Sequence, residues 1–196
     1  MSSWLGTGPL VGDRVTLRPL SFDDVGALAG VVGDPDRFRW VPAIPTDETS
    51  ARTFVEAAHA DPQRRVAFAV IDNETGALLG STSYYDIDQP NLTCAIGYTF
   101  YTEAVQGTAV NPTAKYLLMK HAFEDCGAVR LVWHTHELNA QSRAAITKLG
   151  ATFEGLLRKH RRFGDGWRTT AQFAMTDDDW PAAKATLLQR IQADIR

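Results

Sequence analysis

Long apolar runs, paired cysteines and an excess of positive charge are all missing from this chain, and each absence removes a class of function. No stretch of the 196 residues approaches the apolar length that spans a bilayer, and the opening MSSWLGTGPLVGD lacks the charged start and apolar core of a secretory leader. The two cysteines, Cys94 and Cys126, lie far apart and fit no CxxC or zinc spacing, so reduced core thiols, no metal and a cytoplasmic location are expected. A net charge of −3 argues against a general nucleic-acid footprint, and no Lys/Arg run resembles a membrane-binding segment. No internal repeat or low-complexity segment is present. What is there, 44% hydrophobic and 22% charged residues, suffices for one well-packed domain.

The best-bounded segment runs from Ala95 to Gly127 and reads as a strand, a short loop and a long helix. Asn111 is a favoured N-cap, Pro112 suits the first helical position, and Gly127 stands where a helix C-terminus places glycine. Ala114, Leu118 and Ala122 recur every four residues, flanked by Leu117, Met119, Phe123 and Cys126, while Lys115, Lys120, Glu124 and Asp125 are assigned to the polar face. The loop Gln106-Gly107-Thr108-Ala109-Val110 offers backbone amides and the positive helix end to an anion such as phosphate. An ordinary strand-to-helix connection reads the same way. No Gly-Lys-Ser/Thr follows and no GxGxxG is present, so a bound phosphate would rest on backbone amides alone.

Around this segment the other elements follow in order. Val15 to Leu20 alternates as a strand closed by Pro19, and Ser21 caps a helix through about Val32. Residues 33–45 form an irregular loop whose Phe38 and Trp40 either wall a substrate or pin the loop to the core. Thr46 or Asp47 caps a helix through about Ala60. Arg65–Asp72, Ala77–Ile87 and Leu92–Tyr101 are strands joined by turns at 73–76 and 88–91, an antiparallel meander. Val129–His136 is a strand that a helical crossover makes parallel to its predecessor. A helix from Asn139 or Gln141 to Lys148, a hairpin of 152–163 with 167–175, and a C-terminal helix over about 177–193 complete the chain.

Several segments in this order resemble the GNAT N-acetyltransferases, and specifically the branch of ribosomal-protein N-terminal acetyltransferases. They are Ile96-Gly97-Tyr98-Thr99, Gln106 opening the anion loop, Asn139-Ala140-Gln141-Ser142, Leu149-Gly150-Ala151 and Glu154-Gly155. Gln106 matches the family's phosphate-loop pattern, whereas Ala109 and Asn111 depart from its glycine and small residue. The resemblance covers nearly the whole chain, with a core over about 13–180, and implies an α+β fold. Its sheet is central, mixed and mostly antiparallel, of about seven strands, flanked by helices and parted between the fourth and fifth.

The same resemblance implies acetyl transfer from acetyl-CoA to a primary amine, a peptide N-terminus or a small molecule, by direct attack in a ternary complex. Cofactor contacts are implied at Gly97, Tyr98, Thr99, Gln106, Gly107, Thr108, Ala109, Val110, Asn111, Asn139 and Ser142. The thioester carbonyl would meet amides at a strand bulge around Gly97 and Tyr98, with Ser142 the candidate general acid. The plainer reading makes Asn139 an N-cap and Ser142 a solvated first-turn residue. Two familiar catalytic groups are absent: Ala95 replaces a glutamate and Ile146 a tyrosine. Glu103, His134 and His136 are candidate bases, the histidines alternating onto one strand face. A non-catalytic acyl-CoA-binding protein is the alternative, and a homodimer is allowed. The basic run Arg158-Lys159-His160-Arg161-Arg162 is expected to alternate along a strand, toward solvent or a coenzyme phosphate.

Overall fold

The computed structural model describes residues 4–6, 8–41 and 44–193; residues 1–3 and 7 of the opening segment, Pro42 and Ala43 of the aromatic loop, and residues 194–196 lie outside it. One eight-stranded sheet runs in the order β1-β2-β3-β4-β5-β6-β8-β7. Its strands are β1 (Leu10–Val11), β2 (Val15–Pro19), β3 (Arg65–Asp72), β4 (Leu78–Asp88), β5 (Thr93–Tyr101), β6 (Arg130–His136), β7 (Thr152–Phe163) and β8 (Gly166–Thr176). All pairs are antiparallel except β5 with β6. The eighth strand, β1, has two residues, too few for alternation to reveal it.

The helices are α1 (Val25–Ala29), α2 (Glu48–His59), α3 (Val110–Lys120), α4 (Ala140–Thr147) and α5 (Trp180–Ala193). Asp47 caps α2, its side chain accepting from the Ser50 amide at 2.7 Å. The helix expected from Ser21 to Val32 shortens to a 3-10 turn (Phe22–Asp24) and α1, because Gly26, Gly30 and Gly33 weaken it at regular intervals. The first helical N–H groups lack intrahelical partners wherever the helix begins, so Pro112 fits inside the first turn as well as at its edge. That is why α3 begins two residues early: Ala109, not Asn111, is its N-cap, and Asn111 lies within the first turn. One π turn (His121–Asp125) follows before Gly127, whose φ is +68°.

Apolar residues fill both sheet faces. Val70, Ile96 and Leu131 meet α3 and α5 through Leu118, Met119 and Leu187, while Ala69 and Phe100 meet α1 and α2 through Leu28, Phe54 and Val55. Both cysteines are free, Cys94 within the core.

Lys115 corrects the polar-face assignment. It is only 5% exposed, and its Nζ donates to Thr82 Oγ1 at 3.0 Å and Thr99 Oγ1 at 2.6 Å. It shares its side with Leu118, Met119 and Ala122, three, four and seven residues on, all buried. Burial lowers its pKa to about 7. The unfolded chain therefore binds the extra proton between about pH 7 and the ordinary value of 10.5, stability rises with pH through that window, and the cost is full below it. Lys115→Met leaves the 2.9 Å hydrogen bond between Thr82 and Thr99 in place. It should stabilise the fold by roughly 1–4 kcal/mol at pH 6, and by much less at pH 10. Melting curves at the two pH values check this; an equal shift at both contradicts it.

Candidate active site

The site is built where two parallel strands separate. β5 and β6 pair at only three positions, Thr93 with Arg130, Cys94 with Leu131 and Ala95 with Val132. Beyond them β5 stays with β4 and β6 with β8, which opens a wedge in the sheet. β5 also bulges there: Ser83 faces Gly97 and Ser81 faces Phe100, so Tyr98 and Thr99 together oppose Thr82. Tyr98 has φ +49°, a left-handed conformation costly for an aromatic residue. Gly97 is needed for a different reason. A Cβ there would lie 2.7 Å from Cε1 of Tyr85, whose ring crosses β5 at this point.

Beyond the bulge, residues 106–110 turn into α3. Gly107 has φ +81°, and Thr108 Oγ1 donates to the Val105 carbonyl at 2.7 Å. Val110 N–H points at Thr108 Oγ1 (3.3 Å) and Pro112 has no amide, so fewer N–H groups face outward than the loop length suggested. The Asn111 Oδ1 is buried without a hydrogen-bond partner among the described residues. Across the wedge, Asn139 caps α4, its Oδ1 accepting from the Ser142 amide at 3.0 Å. Its carbonyl oxygen is thus committed to the helix, while Ser142 is half-buried at the first turn. Ala95 and Ile146 are both buried, so apolar packing fills the positions of the two missing catalytic groups.

On the face carrying α2, a cavity of about 660 Å³ opens beside the bulge, lined among others by Phe54, Arg64, Arg65, Tyr85 and Tyr98. Arg65 stacks over Tyr98 at 3.8 Å and Phe54 at 4.8 Å, and its Nε donates to Ser83 Oγ at 3.2 Å. Neither Arg65 nor Tyr85 was singled out from the sequence; the only signal was Gly97, which requires a large neighbour.

His134 is joined to the cavity through Tyr85. The Tyr85 hydroxyl lies 3.0 Å from His134 Nδ1, and His134 Nε2 lies 3.1 Å from Gln172 Oε1. Gln172 donates its amide N–H to Glu154 at 3.0 Å, which leaves its oxygen to accept from the histidine. His134 therefore carries its proton on Nε2, and Nδ1 accepts from Tyr85. Burial holds its pKa below the ordinary histidine value, so it is neutral at pH 7. His136 serves packing instead, against Trp40 at 4.2 Å and Phe163 at 5.3 Å. Glu103 sits on an exposed turn after β5 and is not part of the cavity wall.

The basic run does not alternate as expected, because the pairing of β7 with β8 slips between Leu157 and Arg161 and Lys159 has φ +50°. Arg161 reaches Asp86 of β4 at 2.8 Å, Arg162 stacks on Trp167, and His160 faces His134 at 5.2 Å. The hairpin thus reaches both β4 and β6, the strands on either side of β5. Among the described residues no three His, Cys, Asp or Glu side chains group as a metal site, and no helix is long and apolar enough to cross a membrane.

The acetyltransferase (GNAT) domain family matches residues 14–152. The Bacillus subtilis protein described as uncharacterized N-acetyltransferase YnaD is 22% identical over 167 residues, covering 85% of this chain and 96% of its own. A GCN5-related N-acetyltransferase from Brucella melitensis superposes with a TM-score of 0.85 at 28% identity, covering 93% of this chain and 85% of its own. Mycobacterium smegmatis RimJ, solved with CoA-disulfide, shares the fold with a TM-score of 0.77 at 20% identity, over 93% of this chain and 97% of its own. With its parted sheet and bulged fifth strand, and with the family match spanning most of its length, this chain belongs to the GNAT acetyltransferase family and is an enzyme.

Proposed function

We propose that the chain is an N-acetyltransferase that moves acetyl from acetyl-CoA to a primary amine by direct attack in a ternary complex. The observation that carries this reading is the wedge between β5 and β6, with a bulge on one lip and a helix N-terminus at each end. Within residues 106–111 the amides of Gln106 and Thr108 donate to the Glu103 and Val105 carbonyls, so those of Gly107 and Asn111 would meet the pyrophosphate at the start of α3, and Asn139 would meet the pantetheine arm through its free amide nitrogen. Acetyl-CoA supplies the thioester; the M. smegmatis relative of the same fold was solved with a CoA derivative.

The chain's own residues then divide the proton traffic. The neutral amine attacks the carbonyl carbon from the cavity, the C–N bond forms as the C–S bond breaks, and amides at Gly97, Tyr98 and Thr99 meet the charge on the oxygen. The departing thiolate takes its proton from Ser142, whose hydroxyl regains one from solvent as His134 gives the amine proton up to water. On the acceptor side, Tyr85 receives the amine proton as it passes its own to His134 Nδ1, a relay that stands in for the glutamate absent at Ala95.

Release of CoA thiol from acetyl-CoA with a panel of amines and peptide N-termini tests the reading; tight CoA binding with silence toward every amine favours the non-catalytic alternative. Ser142→Ala should lower turnover at saturation by roughly a hundredfold with little change in CoA affinity. A loss of binding with turnover intact would make Ser142 a simple contact.

Because the relay ends on a weak base, acceptors that shed a proton easily should be preferred. An α-amine near ~8 keeps an appreciable neutral fraction at pH 7, whereas a lysine side chain near ~10.4 does not. The rate should rise with pH to the pKa of each acceptor; one fixed midpoint for amines of different basicity contradicts this.

A further inference from the structure

Resting on the reading of the cavity as the amine site, we propose that the acceptor carries an anionic group, a carboxylate, and that the Arg65 charge on the cavity wall selects it. The observation is a half-buried cation without a counter-ion. Among the described residues Arg65 forms no ion pair with a carboxylate, and its Nη2 is buried with no hydrogen-bond partner. An arginine is rarely buried unless paired, because the ion gives up its hydration for nothing of equal strength.

The acids on the same wall do not neutralise it. Asp47, Asp61 and Asp86 also line the cavity and keep their charge, but none forms an ion pair with Arg65: Asp47 accepts from Ser50 at the cap of α2, Asp61 accepts from the Gln63 amide at 3.0 Å, and Asp86 is paired with Arg161. Arg64 adds a second positive residue to the lining. Burial lowers the Arg65 pKa only to about 10, which leaves it charged at neutral pH.

The aromatic faces make the same discrimination from the other side. Phe54 and Tyr98 would suit a cationic ligand, but the guanidinium already covers both rings at 4.8 and 3.8 Å. Beside the guanidinium a second cation, such as a polyamine or a lysine side chain with its charge retained, is repelled at short range. A carboxylate near the reacting amine gains from the same field without direct contact with Nη2. Small amino-carboxylates therefore fit the cavity, and amines with further positive charge do not.

The test compares amino acids with their own α-carboxamides, for example phenylalanine with phenylalaninamide, as kcat/KM per neutral amine with saturating acetyl-CoA. Removing the carboxylate should lower this value roughly tenfold to a hundredfold in the parent, as for a charge-assisted contact. In Arg65→Met the acid and the amide should become equivalent, and Arg65→Lys should restore part of the preference. Equal use of acid and amide by the parent overturns the proposal, as does a preference that persists in Arg65→Met. Should that variant not fold, judged by its CoA-dependent melting shift, the parent's acid-to-amide ratio and the Lys variant still decide. Thiol release with both members at equal rates rejects only the anionic acceptor, whereas silence with every amine rejects acetyl transfer and this proposal together.

Discussion

The proposed site depends on β5 and β6 ceasing to pair after three residues. A parallel pair that ran on would fill the wedge with ladder hydrogen bonds and leave no room for a ligand between the strands. Each strand is held away by an antiparallel neighbour, β5 by β4 and β6 by β8, so the parting leaves neither as an isolated edge. The bulge at Tyr98 and Thr99 turns β5 further from its partner, and its left-handed Tyr98 is backbone strain placed where the carbonyl of the acyl group would sit.

The bulge is gripped from both faces by basic side chains. Lys115 reaches Thr99 from α3, and Arg65 lies over the Tyr98 ring from the α2 side. Neither has a carboxylate partner among the described residues, so both impose a desolvation cost that the surrounding fold must offset. Arg65 supplies lasting positive charge beside the strained segment, and Lys115, with its pKa of about 7, supplies it only while protonated; a site needs such charge if negative charge develops there during reaction. Tyr85 and His134 complete the surroundings, linked beneath Gly97 from β4 to β6.

The fold was legible wherever local chemistry decided it. Arg65–Asp72 read as a strand from the turn that follows it, α2 from Asp47, and the parallel β6 from its helical crossover. The start of α3 was misread because Asn-Pro imitates a cap, while the first-turn amides that tolerate proline extend two residues further. Lys115 was assigned by its charge, although its spacing from Leu118, Met119 and Ala122 was the stronger signal. The cavity was not legible at all, since Arg65, Tyr85 and Tyr98 come from three strands and meet only through register and the bulge. The slip in β7 escaped for the same reason: nothing in a run of basic residues marks where pairing will shift by two residues.

The central claim is that the wedge, with its bulge and its adjoining helix starts, holds the acyl donor. A crystal structure with acetyl-CoA bound tests it most directly. The account predicts the pyrophosphate at the start of α3 on the amides of Gly107 and Asn111, the pantetheine arm between β5 beyond Ala95 and β6 beyond Val132, and the carbonyl oxygen at the amides of Tyr98 and Thr99. Acetyl-CoA bound elsewhere, with β5 and β6 unchanged and the wedge empty, would contradict it.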